Sequence, residues 1–153
     1  MKPKLEYIFT ARVEFGERLR FGPFKGGNER GFLNVTGGTI TGPRLQGTVM
    51  PNSGGDWPYI RQDGVVEFDA IYGFQASDGT VIQITNSGLR HAPPDVLERM
   101  NTHQEVDPSE YYFRITPRFE VQSGPHEWLS QTVIVGAADR HKNYSDFYYY
   151  AVV

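Results

Sequence analysis

VVEFDAIYGFQASDGTVIQIT, Val65 to Thr85, alternates with the two-residue period of a β-strand and then turns back on itself. Val66, Phe68, Ala70, Tyr72 and Phe74 share one face, while Val65, Glu67, Asp69, Ile71 and Gly73 share the other, so the strand has one distinctly more apolar side. Ser77–Thr80 contains Asp78-Gly79, a pair suited to tight hairpin turns, and the β-branched run Val81–Thr85 follows it. The segment reads as a β-hairpin.

Outward from this hairpin the same pattern recurs. LEYIFTARVEF (5–15), FLNVTGGTI (32–40), RLQGTVM (44–50), YYFRITPRFEV (111–121), WLSQTVIVGAA (128–138) and SDFYYYAVV (145–153) are strand candidates separated by turn residues. Only PPDVLERMN (93–101) reads as a helix, with Pro94 suited to its first turn and Val96, Leu97 and Met100 at helical spacing. About eight strands in a single domain must hide their edges, and closing an antiparallel sheet into a barrel does so directly, with a sandwich as the rival. The expected fold is therefore all-β, residues 1–153 forming one closed or nearly closed barrel with a short helix at one end. Such a barrel is either filled by side chains or wide enough for one small ligand.

Composition agrees with this reading and excludes several functions. The 17 glycines, 10 prolines and 14% aromatic residues favour short strands and turns over helices. Without cysteine there is no disulfide, thiol nucleophile or thiolate-bound metal. A formal charge of -3 and the lack of a Lys/Arg run argue against nucleic acid as a partner. The apolar residues near the N-terminus are interrupted by Glu6, Arg12 and Glu14, which fits neither a signal peptide nor a membrane span, so a cytoplasmic location is expected. His91, His103, His126 and His141 show no metal-site spacing, and no metal is expected.

GGTITGPRLQG (37–47), GGDW (54–57), the Asp-Gly hairpin, YYFRITPRFE (111–120), WL (128–129) and VG (135–136) occur in a recognisable order. On these residues the chain, from about Leu5 to Val153, resembles the domain-of-unknown-function 3237 family. The resemblance implies a small β-barrel similar to the allene oxide cyclase and dirigent barrels, which hold hydrophobic small molecules and guide ring closure or coupling without a cofactor. Positions matching the family pattern include Gly37, Gly38, Gly42, Pro43, Asp56, Trp57, Tyr112, Arg114 and Trp128. Thr41 and Ile71 stand where the pattern has an acidic residue and an arginine, which suggests a pocket altered for a different or more apolar substrate.

Several residues are candidates for chemistry, each with a structural alternative. Asp56 in a partly apolar barrel mouth would titrate high enough to act as general acid or base, or it caps a turn. Tyr112 and Arg114 share one strand face; if it points inward they supply a phenol and a fixed cation, and otherwise Arg114 lies in water or pairs with Glu120 or Asp69. Trp57 and Trp128 offer flat apolar walls or ordinary packing. Tyr72 and Phe74 lie on the apolar face of their strand, as core or as lining, and His91 is a loop base or a solvated histidine.

Taken with what the resemblance implies, these residues lead us to expect a cofactor-free cyclase or isomerase acting on a hydrophobic, unsaturated or aromatic small molecule. Asp56, Tyr112 and Arg114 are its candidate catalytic residues, with Trp57, Tyr72, Phe74, His91 and Trp128 lining the substrate. A non-catalytic small-molecule-binding barrel is the alternative. FYYYAVV puts aromatic residues on both faces of the last strand, which leads us to expect a homodimer or higher homo-oligomer.

Overall fold

A computed structural model describes all 153 residues. In chain order the strands are β1 (Leu5–Phe21), β2 (Glu29–Thr41), β3 (Gly47–Val49), β4 (Gly55–Asp56), β5 (Tyr59–Ile60), β6 (Val66–Ala76), β7 (Val81–His91), β8 (Tyr112–Val121), β9 (Ile134–Arg140) and β10 (Tyr144–Val152). The helix α1 (Pro94–Asn101) lies between β7 and β8, with Pro94 opening it as expected. Every pairing is antiparallel, in the order β1-β10-β9-β8-β7-β6-β3-β2, and β2 returns to pair with β1. The result is a closed barrel of eight staves. No helix is long and apolar enough to cross a membrane.

The eighth stave is broken. β3, β4 and β5 are two- or three-residue pieces that each pair with β2 on one side and β6 on the other. The candidate strand 44–50 accordingly shrinks to 47–49. The candidate strand 128–138 begins only at Ile134, because Glu127–Ser130 winds into a 3-10 turn that buries Leu129. The hairpin at Val65–Thr85 is present, with β6 and β7 paired from Val66↔Arg90 to Gln75↔Val81.

Alternation along β6 puts Val66, Ala70, Tyr72 and Phe74 inside and leaves Asp69 and Ile71 outside. At one end of the barrel the interior is solid. Phe9 meets Phe74, Phe119 and Tyr149 with ring centroids 6.2, 6.2 and 4.8 Å apart, and Ile40, Ile82 and Ile134 fill around them. The opposite end is wider, and α1 covers part of it with Leu97 and Met100. Val96 and Met100 are buried, which anchors that helix to the barrel.

Candidate functional site

The Gly-Gly-Asp-Trp corner explains how one acid comes to face inward. Gly54 has φ +152°, and a Cβ there would lie 1.9 Å from the carbonyl oxygen of Ile71. Only glycine lets the chain approach β6 that closely. The same squeeze seats Gly55 opposite Leu33's neighbour Asn34 and sets Asp56 beside Leu33 on β2 and Ala70 on β6. Strand alternation then turns Asp56 inward and Trp57 outward.

Asp56 is 6% exposed and lies in the wall of a cavity of about 590 Å³ at the open end of the barrel. The apolar part of the wall includes Phe15, Phe68, Phe113, Phe147 and Leu97. Asp56 Oδ1 accepts a hydrogen bond from the backbone N–H of Asp69 at 3.2 Å. Burial pushes the Asp56 carboxyl up to about 7, against that backbone hydrogen bond and the nearby Arg90 charge, both of which lower it. An acid held near 7 inside an aromatic-walled chamber can give up a proton at neutral pH and take it back.

Beneath Asp56, toward the solid end, Tyr72, Asn86 and Tyr149 are buried together. The two phenols lie close enough to each other and to Asn86 for their protonation to be influenced, yet Tyr72 Oη, Tyr149 Oη and Asn86 Oδ1 meet hydrogen-bond geometry with no group of the protein. Asp56, Tyr72 and Asn86 border a void of about 10 Å³. Burial raises both phenols, Tyr72 with the Asp56 charge adding to the effect, so each stays protonated across the working range.

Five arginines missing from the sequence candidates also line the cavity; Arg20 and Arg61 are paired with Glu29 and Asp63, which leaves Arg18, Arg90 and Arg140 without an acid partner. A readable signal existed for Arg90. Ile82, Ile84, Asn86 and Gly88 alternate inward along β7, and continuing that alternation past Thr85 selects Arg90 and rejects His91.

The structure divides the expected site residues. Asp56 lines the cavity, and Tyr72 lies just below it. Phe74 is wholly buried at the solid end, where it packs on Phe9 and Tyr72 rather than lining the chamber. The inward reading of the Tyr112 face is corrected: Phe113 and Ile115 occupy the interior, so alternation places Tyr112 and Arg114 outside. Tyr112 stacks there on His91, centroids 4.9 Å apart, with the Arg114 guanidinium 5.2 Å from its ring. His91 is likewise external.

Trp57 is 46% exposed and packs against Phe32 on the outer surface, centroids 4.4 Å apart. Trp128 rests partly buried against the core under the Arg44 guanidinium, 3.8 Å from its ring, and does not reach the cavity. Thr41 and Ile71 are both exposed, so these two departures from the family pattern leave the chamber wall untouched. The expectation that they reshape the pocket is corrected on that ground.

Comparison with known proteins matches residues 3–153 to the family described as protein of unknown function (DUF3237). A UPF0311 protein of Rhodopseudomonas palustris strain TIE-1 is 35% identical over 143 residues, covering 92% of each chain. The crystal structure of a conserved protein of unknown function from R. palustris superposes with a TM-score of 0.95 at 31% identity, covering 100% of this chain and 99% of that one. The hydroalkoxylation enzyme phnH of Penicillium herquei is 35% identical over 104 residues, 67% of this chain and 65% of its own.

Proposed function

We propose, from the premise that the chain belongs to the DUF3237 family, that it is a cofactor-free cyclase or isomerase acting on an unsaturated or aromatic small molecule held at the open end of the barrel. The observation that carries this reading is Asp56, a carboxyl raised to about 7 in a cavity of about 590 Å³ walled by phenylalanines. The kinship to a hydroalkoxylation enzyme supports the reaction type, the addition of a hydroxyl O–H across a C=C bond. Intramolecular addition of this kind closes an oxygen-containing ring and is a net isomerisation.

In this reading the Asp56 carboxyl transfers its proton to one alkene carbon, breaking its O–H bond as a C–H bond forms. The substrate's own hydroxyl oxygen closes on the other carbon, and its proton returns to the Asp56 carboxylate, so atoms and charge balance. The stacked Phe68 and Phe113 and the neighbouring Phe15 and Phe147 hold the chain folded near its reactive shape and keep water from capturing the cation. The acid contributes on the order of 10²–10⁴ in rate.

The test is turnover of a panel of 2-allyl and 2-prenyl phenols by wild type and by Asp56→Asn, with ring-closed product followed by chromatography. The expected result is loss of at least about 100-fold in the variant without loss of melting temperature. Full activity in Asp56→Asn would overturn the reading.

A further inference from the structure

The cavity contains cations with no anion to answer them. The side chain of Arg90, on the inner face of β7, makes no hydrogen bond to the protein, and its Nε is sealed from solvent without a partner. Its guanidinium lies 5.4 Å from the Phe68 ring and 5.7 Å from the Phe113 ring. Burial first, and then the charges of Arg140 and Arg18, which line the same chamber, disfavour the charge of Arg90. Neither is in an ion pair: Arg140 donates to the Met100 carbonyl at 2.9 Å, and Arg18 donates to the Lys142 carbonyl and approaches His103 Nδ1 at 3.4 Å.

The acids that could neutralise this group are engaged elsewhere or poorly charged. Glu29 is held by Arg20 at 3.0 Å, and Glu105, whose field reaches Arg140, is bound to His141 at 2.9 Å. Asp56 is the remaining acid in the wall, and with its carboxyl pushed up to about 7 by burial it is only about half ionised at neutral pH. Even His103 is disfavoured as a cation, by burial and then by Arg18, Arg140 and Lys142. A protein of formal charge -3 has thus concentrated three unpaired guanidiniums in its one large aromatic chamber. Leaving such a group desolvated and unanswered is costly, and a bound oxyanion removes the cost.

We infer that the cavity binds a molecule with an aromatic or unsaturated body and an oxyanion, a carboxylate or phosphate, that is received by Arg90 together with Arg18 and Arg140. The planar fork of Arg90 takes two oxygens of the anion, while the Phe68–Phe113 stack that backs the guanidinium offers its edge to the apolar body. The oxyanion end then lies against the β7–β9 side of the mouth and the reactive end against Asp56 on the β2–β6 side. This names the substrate class for the reaction chamber proposed above, and rests on that reading only in calling the guest a substrate.

The test is calorimetric titration of the protein with 2-naphthoate, 2-naphthyl phosphate and the neutral 2-naphthamide. At least one anion is expected to bind ten-fold or more tightly than the amide, with the preference weakening as salt rises, and the stronger of the two identifies the oxyanion. Arg90→Met is expected to abolish the preference and Arg90→Lys to restore part of it, while Arg114→Met, on the outer face, leaves it intact. Circular dichroism melts of Arg90→Met and Arg90→Lys establish that each is folded. Equal binding of all three compounds, or an undiminished preference in folded Arg90→Met, would overturn the inference. Asp56→Asn separates the two claims: it should keep anion binding even where it loses turnover.

Discussion

Phe68 on β6 and Phe113 on β8 stack with centroids 4.7 Å apart and planes 14° from parallel, although β7 runs between their strands. On the intervening β7, Phe68 is in register with Gly88 and Phe113 with Arg90, and Gly88 presents no side chain to the interior. A Cβ at Gly88 would lie 2.4 Å from the Arg114 carbonyl oxygen. This stack is the wall on which Arg90 rests.

Phe113→Leu should therefore affect stability and binding together. Phe113 is 3% exposed, and shortening it removes both the stack and part of the chamber wall. A loss of about 1–3 kcal/mol in denaturant unfolding is expected, with weaker binding of naphthyl ligands. Unchanged unfolding would mean that the stack contributes little.

The elevated carboxyl of Asp56 gives stability a pH dependence of known sign. The unfolded chain loses this proton near 3.9, whereas the native state keeps it up to about 7, so unfolding is favoured progressively as pH rises between those values and levels off above. Comparison with Asp56→Asn cancels the contributions of other acids such as Asp78. The variant should gain on wild type between pH 5 and pH 8 by roughly 5–10 °C in melting temperature. Parallel melting curves would place the acid in an ordinary environment.

Tyr72→Phe should leave stability unchanged or raise it by up to about 1 kcal/mol, because the hydroxyl it removes is buried without a partner. Thermal melts decide this. A drop of several degrees would show that the hydroxyl is satisfied in solution.

Gly54→Ala is expected to cost several degrees of melting temperature, since the new Cβ collides with backbone rather than with a movable side chain. The outward Trp57→Ala, by contrast, loses only its packing on Phe32 and should leave ligand affinity within about two-fold.

The outer wall offers a control of a different kind. Arg12 grips Asp146 through two hydrogen bonds of 2.8 and 2.9 Å while lying over the Tyr144 ring at 4.3 Å. Arg12→Met leaves a nearly buried carboxylate unanswered and should destabilise by about 1–3 kcal/mol, with Asp146→Asn restoring part of the loss in the double variant. A double variant no better than the single one would rule out that account.

The barrel was legible in the sequence because its filled end is built from alternating apolar residues, and Val66, Ala70, Tyr72 and Phe74 face inward as the period demands. The site was less legible because it lies where that pattern stops. β1, β7 and β9 continue past their apolar runs to Phe21, His91 and Arg140, and their polar ends form the mouth. Reading strands only as far as their apolar residues missed Arg18, Arg90 and Arg140. In YYFRIT both faces carry an aromatic residue, so alternation alone did not say which pointed inward; the packing of Phe113 against Phe68 and Phe147 decided it. Asp56 was readable from its glycines, which signal a backbone pressed against a neighbour.

The split stave gives this architecture an unequal tolerance to change. The unbroken staves are held mostly by long ladders, with β8 and β9 joined by two pairs, and in the long ladders any shift of register would turn a whole row of side chains inside out. The pieces beside Asp56 are tied by only two pairs each to either neighbour, and the turn that follows them, at 61–65, lines the mouth through Arg61, Gln62 and Gly64. Lengthening or shortening that turn would redraw the entrance while leaving the cylinder as it is, so this seam is where the opening is least constrained by the rest of the fold.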